Sequence, residues 1–291
     1  MADDVASGYR ESWYTSQDGL RLFFRDYHGP RGENGPPRGA VLCLPGVTRN
    51  SKDFDQLAGR LCGRYRVLCP DFRGRGLSAY DPDPANYTPP TYANDIRHLL
   101  VVCGVEHVHV IGTSLGGFVA MVMAVAMPTV LASVVLNDIG PEIGRQTLGG
   151  IIDYMEDDTP LPDWDAVTGH VRGAFLPNLP NGTEDDWRRI ARNTYRRTAD
   201  GSYVHDFDQA ILHQFERALT DKQDLWPLFR ALGHVPVLAL RGALSGILSA
   251  ETLGRMGQAM PDMTSLTVED RGHTPLLSEP PVLEAIDAHL F

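Results

Sequence analysis

A chain of 291 residues, 43% hydrophobic and 22% charged, has the composition of a folded globular protein and not of a disordered one. Its length suits one large α/β domain or two modest ones. Twenty-six Lys and Arg against 37 Asp and Glu leave a net charge of -11, which repels phosphate backbones and argues against nucleic acid as a partner. The longest apolar run, Phe118 to Met127, is too short to span a bilayer, so no membrane segment is expected. The acidic start, Met1 to Asp4, lacks a signal-peptide pattern. Cys43, Cys62, Cys69 and Cys103 have no metal-type spacing and read as buried thiols in a reducing compartment. The cytoplasm is the expected location.

In chain order, Glu11–Ser16 and Leu20–Tyr27 flank Gln17-Asp-Gly19, the pattern of a β-hairpin. Pro30 to Pro37 is a polar Gly/Pro loop. Short apolar strands then alternate with helical stretches: Ala40–Leu44, Arg66–Cys69, Val108–Ile111, Ala132–Leu136, Val235–Leu240 and Leu266–Val268. This alternation predicts a mostly parallel sheet buried on both faces, with ligands beyond the carboxyl ends of its strands. Between Asp138 and Val235 only helical patterns are expected: Leu148–Met155, Trp164–Ala174, Glu184–Arg197 and Asp206–Leu219. An all-helical stretch inserted there reads as a cap over the sheet's carboxyl edge.

The strongest chemical signal is Gly112-Thr-Ser114-Leu-Gly116, which follows a strand and opens an apolar helix, Leu115–Met127. A sharp strand-to-helix turn needs small flanking residues and lifts a serine hydroxyl above the sheet, beside a helix N-terminus that favours developing negative charge. Such a hydroxyl needs a base. His273, in Asp270-Arg-Gly-His273, lies just beyond the last strand. For the oxyanion, the N–H of Leu115 and that of Val47, in Pro45-Gly-Val-Thr48, are the expected donors. His107 and His109 share a strand face without a third ligand, so no metal is expected.

The GxSxG turn, the Pro-Gly loop, Asp71-Phe-Arg-Gly-Arg-Gly-Leu-Ser78 and the late Gly-His resemble the α/β-hydrolase superfamily across nearly the whole chain, in its serine-nucleophile branch. The resemblance implies an α/β-hydrolase fold: a mostly parallel central sheet with helices on both faces and a helical cap inserted after the sixth strand. The core domain would hold residues 1–140 and 226–291 and the cap 141–225. It also makes the Arg-Gly-Arg-Gly segment a structural turn below the site. The superfamily usually carries its acid after the strand Val235–Leu240, yet that loop, Arg241 to Ser249, holds no carboxylate, and Gly246 stands where resembling sequences place aspartate. Asp138, at the end of the preceding strand, is the candidate replacement. Glu251 reads instead as a first-turn helix residue.

From the cap, Ile151, Tyr154, Trp187 and Tyr195 are expected to line the substrate pocket, with Met155, Phe207 and Phe215 beside them. Arg192 and Arg196 are secondary candidates for holding a substrate carboxylate. The expected function is a cofactor-free serine hydrolase acting on a small-molecule acyl substrate, a small to medium ester or lactone, through an acyl-enzyme. The alternatives are a carbon–carbon bond hydrolase and a ligand-binding scaffold deficient in its acid.

Overall fold

The computed structural model describes residues 8–28, 38–213 and 224–290. Eight strands form one sheet: β1 (Arg10–Thr15), β2 (Arg21–Tyr27), β3 (Ala40–Leu44), β4 (Arg66–Pro70), β5 (Val108–Thr113), β6 (Leu131–Asn137), β9 (Val237–Gly242) and β10 (Thr264–Val268). Their order is β1-β2-β4-β3-β5-β6-β9-β10. The first two strands pair antiparallel, β2 runs antiparallel to β4, and every later pairing is parallel. The hairpin, the parallel series and their order along the chain therefore follow the sequence reading. The loop expected at Pro30–Pro37 lies outside the described residues, apart from which the strand ends shift by one or two positions.

The period-2 geometry of the central strands divides the core into two layers. Leu42 and Leu44 of β3 and Val134 and Leu136 of β6 point to α2 (Pro89–Cys103) and α3 (Leu115–Ala126). Val41, Cys43 and Val135 point the other way, to α1 (Asp55–Leu61) and the last helix, Pro280–Leu290. Both faces are covered, which is why these strands read as unbroken apolar runs.

The region inserted after β6 is helical but not entirely so. It contains α4 (Arg145–Glu156), α5 (Trp164–Phe175) and α6 (Glu184–Thr194), the last closed by a capping box between Thr183 and Asp186. The helix expected to reach Arg197 instead stops at Thr194, and Tyr195–Arg197 (β7) pairs antiparallel with Tyr203–His205 (β8). The turn between them carries Asp200-Gly201, with Gly201 at φ +92, in the left-handed region that glycine enters without strain. The helix expected from Asp206 begins at Ile211, because the preceding residues are taken by β8 and by a bridge from Phe207 to Arg75; residues 214–219 of that expectation lie outside the described residues. Val167, Val171, Trp187, Ala191 and Tyr195 form a small hydrophobic centre belonging to the inserted region itself.

Arg73 pins the turn after β4. Fully buried, it donates from Nε and Nη2 to both oxygens of Asp95 (2.8 and 2.6 Å) and from Nη1 to Asp81 and Asp18. Removing one member of a buried ion cluster leaves the others uncompensated. The substitution Arg73→Met is expected to lower stability by about 3–5 kcal/mol, measured by urea unfolding, far more than removal of an exposed arginine.

Candidate active site

β5 delivers the serine. Ser114 sits at the turn into α3 with φ +51 and ψ -114, a conformation a side chain adopts only where the surroundings hold it. Two glycines permit the turn. A Cβ on Gly116 would stand 2.1 Å from the Leu44 carbonyl oxygen, and one on Gly112 2.5 Å from the Gly117 nitrogen. The backbones of β3, β5 and α3 therefore meet at closest approach, and the hydroxyl is lifted off the sheet.

His273, on the loop after β10, places Nε2 2.9 Å from Ser114 Oγ and Nδ1 2.7 Å from Asp138 Oδ2. Asp138 is fully buried at the exit of β6, with φ +58. Its carboxylate is satisfied from the neighbouring strand: the Gly242 N–H donates to Oδ1 (2.9 Å) and the Ser245 hydroxyl to Oδ2 (2.6 Å). Ser245 Oγ in turn accepts from the Ile247 and Leu248 N–H groups, so its proton is committed to Asp138. The β9 loop, which holds no acid, supplies donors to the acid one strand away. Glu251 lies in the first turn of the helix Ala250–Ala259, behind a Ser249 cap, as expected.

Val47 and Leu115 both border the cavity above Ser114. Neither N–H donates to an acceptor among the described residues, while the Val47 carbonyl accepts from Arg75 Nε at 2.9 Å. The histidine loop is fixed by residues that sequence reasoning missed. Asn178, in the inserted region, accepts the His273 N–H through Oδ1 (3.1 Å) and the Gly272 N–H through its carbonyl (2.7 Å). Asn137 Nδ2 donates to the Pro275 carbonyl at 3.0 Å. An asparagine at a strand end or in a helical stretch carries no sequence signal for such roles.

The cavity holds about 1040 Å³ between the sheet's carboxyl edge and the inserted region. Ile151 and Tyr154 line it; Trp187 and Tyr195 do not. This corrects the expectation for the last two. Trp187 is fully buried in the inserted region's own centre, and Tyr195 turns its hydroxyl to His205 Nε2 at 2.8 Å. Met155 and Phe207 are likewise buried off the cavity, Phe215 lies outside the described residues, and Arg192 and Arg196 are exposed away from it. His109 bonds the Ser133 hydroxyl at 2.8 Å through Nδ1. Among the described residues no three His, Cys, Asp or Glu side chains are arranged to hold a metal. None of the described helices is long and apolar enough to cross a membrane.

A family model described as the alpha/beta hydrolase family matches residues 41–286, and the chain belongs to that family of hydrolases. The 3-hydroxybutyrate-oligomer hydrolase of Cupriavidus necator is 30% identical over 257 residues, 86% of this chain and 87% of its own. The 2-(acetamidomethylene)succinate hydrolase of Mesorhizobium japonicum is 30% identical over 274 residues, 94% of this chain and 92% of its own. Among solved structures, an alpha/beta hydrolase from Novosphingobium aromaticivorans superposes with a TM-score of 0.90 at 40% identity, covering 98% of both chains.

Burial holds His205 neutral, depressing its pKa to about 4. In the unfolded chain a histidine titrates near 6.5, so between the two values the unfolded state binds the extra proton. The stability His205 contributes is therefore complete above about pH 6.5 and drains away as pH falls toward 4, on the order of 3 kcal/mol. Urea midpoints measured from pH 7 to 4.5 are expected to fall less steeply in His205→Gln than in the natural protein.

Proposed function

We propose that this hydrolase cleaves a small to medium ester through an acyl-enzyme on Ser114. The observation that carries the reading is the unbroken line of hydrogen bonds from Ser114 Oγ through His273 to Asp138. His273 Nε2 takes the Ser114 proton as Oγ attacks the ester carbonyl, with Asp138 fixing the tautomer and facing the imidazolium that forms. The N–H groups of Val47 and Leu115 receive the oxyanion. His273 then passes its proton to the departing alkoxide, which leaves as alcohol. Water, deprotonated by the same imidazole, attacks the acyl-serine, and collapse releases the carboxylic acid and restores the Ser114 hydroxyl.

Support also comes from the answer to the missing acid. The loop around Gly246 has no carboxylate, and that absence was the ground for a non-catalytic scaffold; a carboxylate reaches Nδ1 from β6 instead. The names of the two curated relatives describe hydrolysis of small acids and their oligomers, which is in keeping with a small acyl substrate.

A serine-directed fluorophosphonate is expected to label the folded protein at Ser114, read by peptide mass spectrometry, and Ser114→Ala to abolish both labelling and turnover of p-nitrophenyl acetate. No label on folded protein would overturn the reading. Asp138→Asn is expected to reduce kcat by about 10⁴, since the histidine loses its tautomer control. Ser245→Ala, which strips one donor from that carboxylate, is expected to cost about 10- to 100-fold, the worth of a hydrogen bond to a charged group. An Asp138→Asn enzyme with full activity would place the acid elsewhere.

A further inference from the structure

Two residues beyond Arg73, the wall of the cavity above Ser114 holds a guanidinium whose charge has no counter-ion among the described residues. Arg75 is fully buried and borders the cavity that contains Ser114 and Val47. Its Nε donates to the Val47 carbonyl (2.9 Å), and Nη1 to the Arg73 carbonyl (2.9 Å) and the Tyr92 hydroxyl (2.8 Å). All three acceptors are neutral. Nη2 is buried with no hydrogen-bond partner, and no carboxylate lies within 4.0 Å among the described residues. The Tyr92 and Tyr87 rings, 5.0 and 5.8 Å from its guanidinium carbon, return part of the lost hydration. They do not replace an anion: a buried charge is costly unless paired and hydrogen-bonded.

The other arginines along the cavity are committed. Arg49 makes a two-point contact with Asp53 (2.7 and 2.6 Å), and Arg189 pairs with Asp186 (2.8 Å). Arg75 therefore presents the one uncompensated cation among the described arginines of this wall. The guanidinium's planar N–H fork matches a carboxylate better than it matches a neutral oxygen.

We propose that Arg75 is the anion-recognition residue of the pocket, its Nη2 taking a free carboxylate carried by the substrate. On this assignment, which rests on the ester-hydrolase reading above, the preferred substrates are half-esters of dicarboxylic acids or acylated hydroxy acids rather than uncharged esters. Arg75 also holds the Val47 carbonyl, so its replacement disturbs turnover of every ester; the diagnostic quantity is the preference between substrates that differ only in charge.

Monomethyl and dimethyl glutarate form such a pair. At pH 7.5 and low salt, kcat/KM of the natural protein for the half-ester is expected to exceed that for the diester at least tenfold, through KM. In Arg75→Gln the ratio is expected to fall to about one, and in Arg75→Lys to be partly kept. A natural protein with no preference overturns the proposal without need of any variant. A ratio that Arg75→Gln leaves unchanged, with both esters slowed alike, also overturns it, and means that Nη2 is satisfied by a buried water and that Arg75 serves only the loop. Binding separates this from the catalytic reading: calorimetric titration of Ser114→Ala with glutarate is expected to show saturable binding that the Arg75→Gln, Ser114→Ala double variant weakens at least tenfold. Arg75-dependent glutarate binding in a protein that fluorophosphonate does not label would keep the anion site and discard the serine mechanism.

Discussion

The carboxylate of Asp138 is the point on which the site's geometry turns. It is fully buried, and a bare carboxylate there would be prohibitive without partners on each oxygen. The sheet provides them. Asp138 leaves β6 one residue after Asn137, which lies in register with Leu240 of β9, and the Asp138 N–H bonds the Leu240 carbonyl at 2.8 Å. The adjacent strand exit then returns the Gly242 N–H and the Ser245 hydroxyl to the side chain. Because β9 lies between β6 and β10 in the sheet, the loop after β10 brings His273 over both strand exits. An imidazole arriving there meets an acid from either strand, since neighbouring strands are less than 5 Å apart. A carboxylate at the end of β6 thus meets His273 Nδ1, and the β9 loop, with none of its own, supplies it with hydrogen-bond donors.

The inserted region joins this frame through apolar contacts, with Leu148, Met155, Phe207 and Ile211 in the same core as Leu44 and Leu136, and through polar ones. Lys52 pairs with Asp206 (2.8 Å), Asn50 Nδ2 reaches the Asn193 carbonyl (3.0 Å), and Asn193 Nδ2 returns to the Lys52 carbonyl (3.2 Å). These contacts fall on the chain just after Val47, and Asn178 grips the histidine loop on the other side. The Val47 loop and the His273 loop are therefore both attached to the same inserted layer. Its own hydrophobic centre, around Trp187, keeps that layer rigid enough for the attachments to carry position.

What the sequence disclosed, it disclosed through constraints that act locally. The strand runs were visible because both faces are buried, and Ser114 because only glycine fits where Gly112 and Gly116 touch backbone. Asp138 was reached through the resemblance to α/β-hydrolases, as the carboxylate at the neighbouring strand end when the loop Arg241 to Ser249 held none. The β7–β8 hairpin was overlooked although Asp200-Gly201 marks it, because the helical charge pattern from Glu184 to Arg197 runs into the strand without interruption. Trp187 and Tyr195 were assigned to the pocket since an aromatic at helical spacing looks the same whether it faces a cavity or a core. Ser245 and Asn178 gave no signal at all: each acts by polar contacts on a partner more than 90 residues away in the chain.

The two arginines of Asp71-Phe-Arg-Gly-Arg show how one short turn serves different ends. Both are fully buried and lie two residues apart, yet Arg73 is surrounded by Asp18, Asp81 and Asp95 while Arg75, among the described residues, meets carbonyls, a phenol and ring faces. In a chain with a net charge of -11, a shortage of carboxylates does not explain the difference. Selection for stability alone would favour pairing or replacing a buried charge, because an apolar side chain of similar volume is often at least as stabilising there. Arg75 stands against the cavity wall, with its Nε on the Val47 carbonyl. An unpaired buried charge at the cavity wall is the arrangement expected when the missing partner arrives with the substrate.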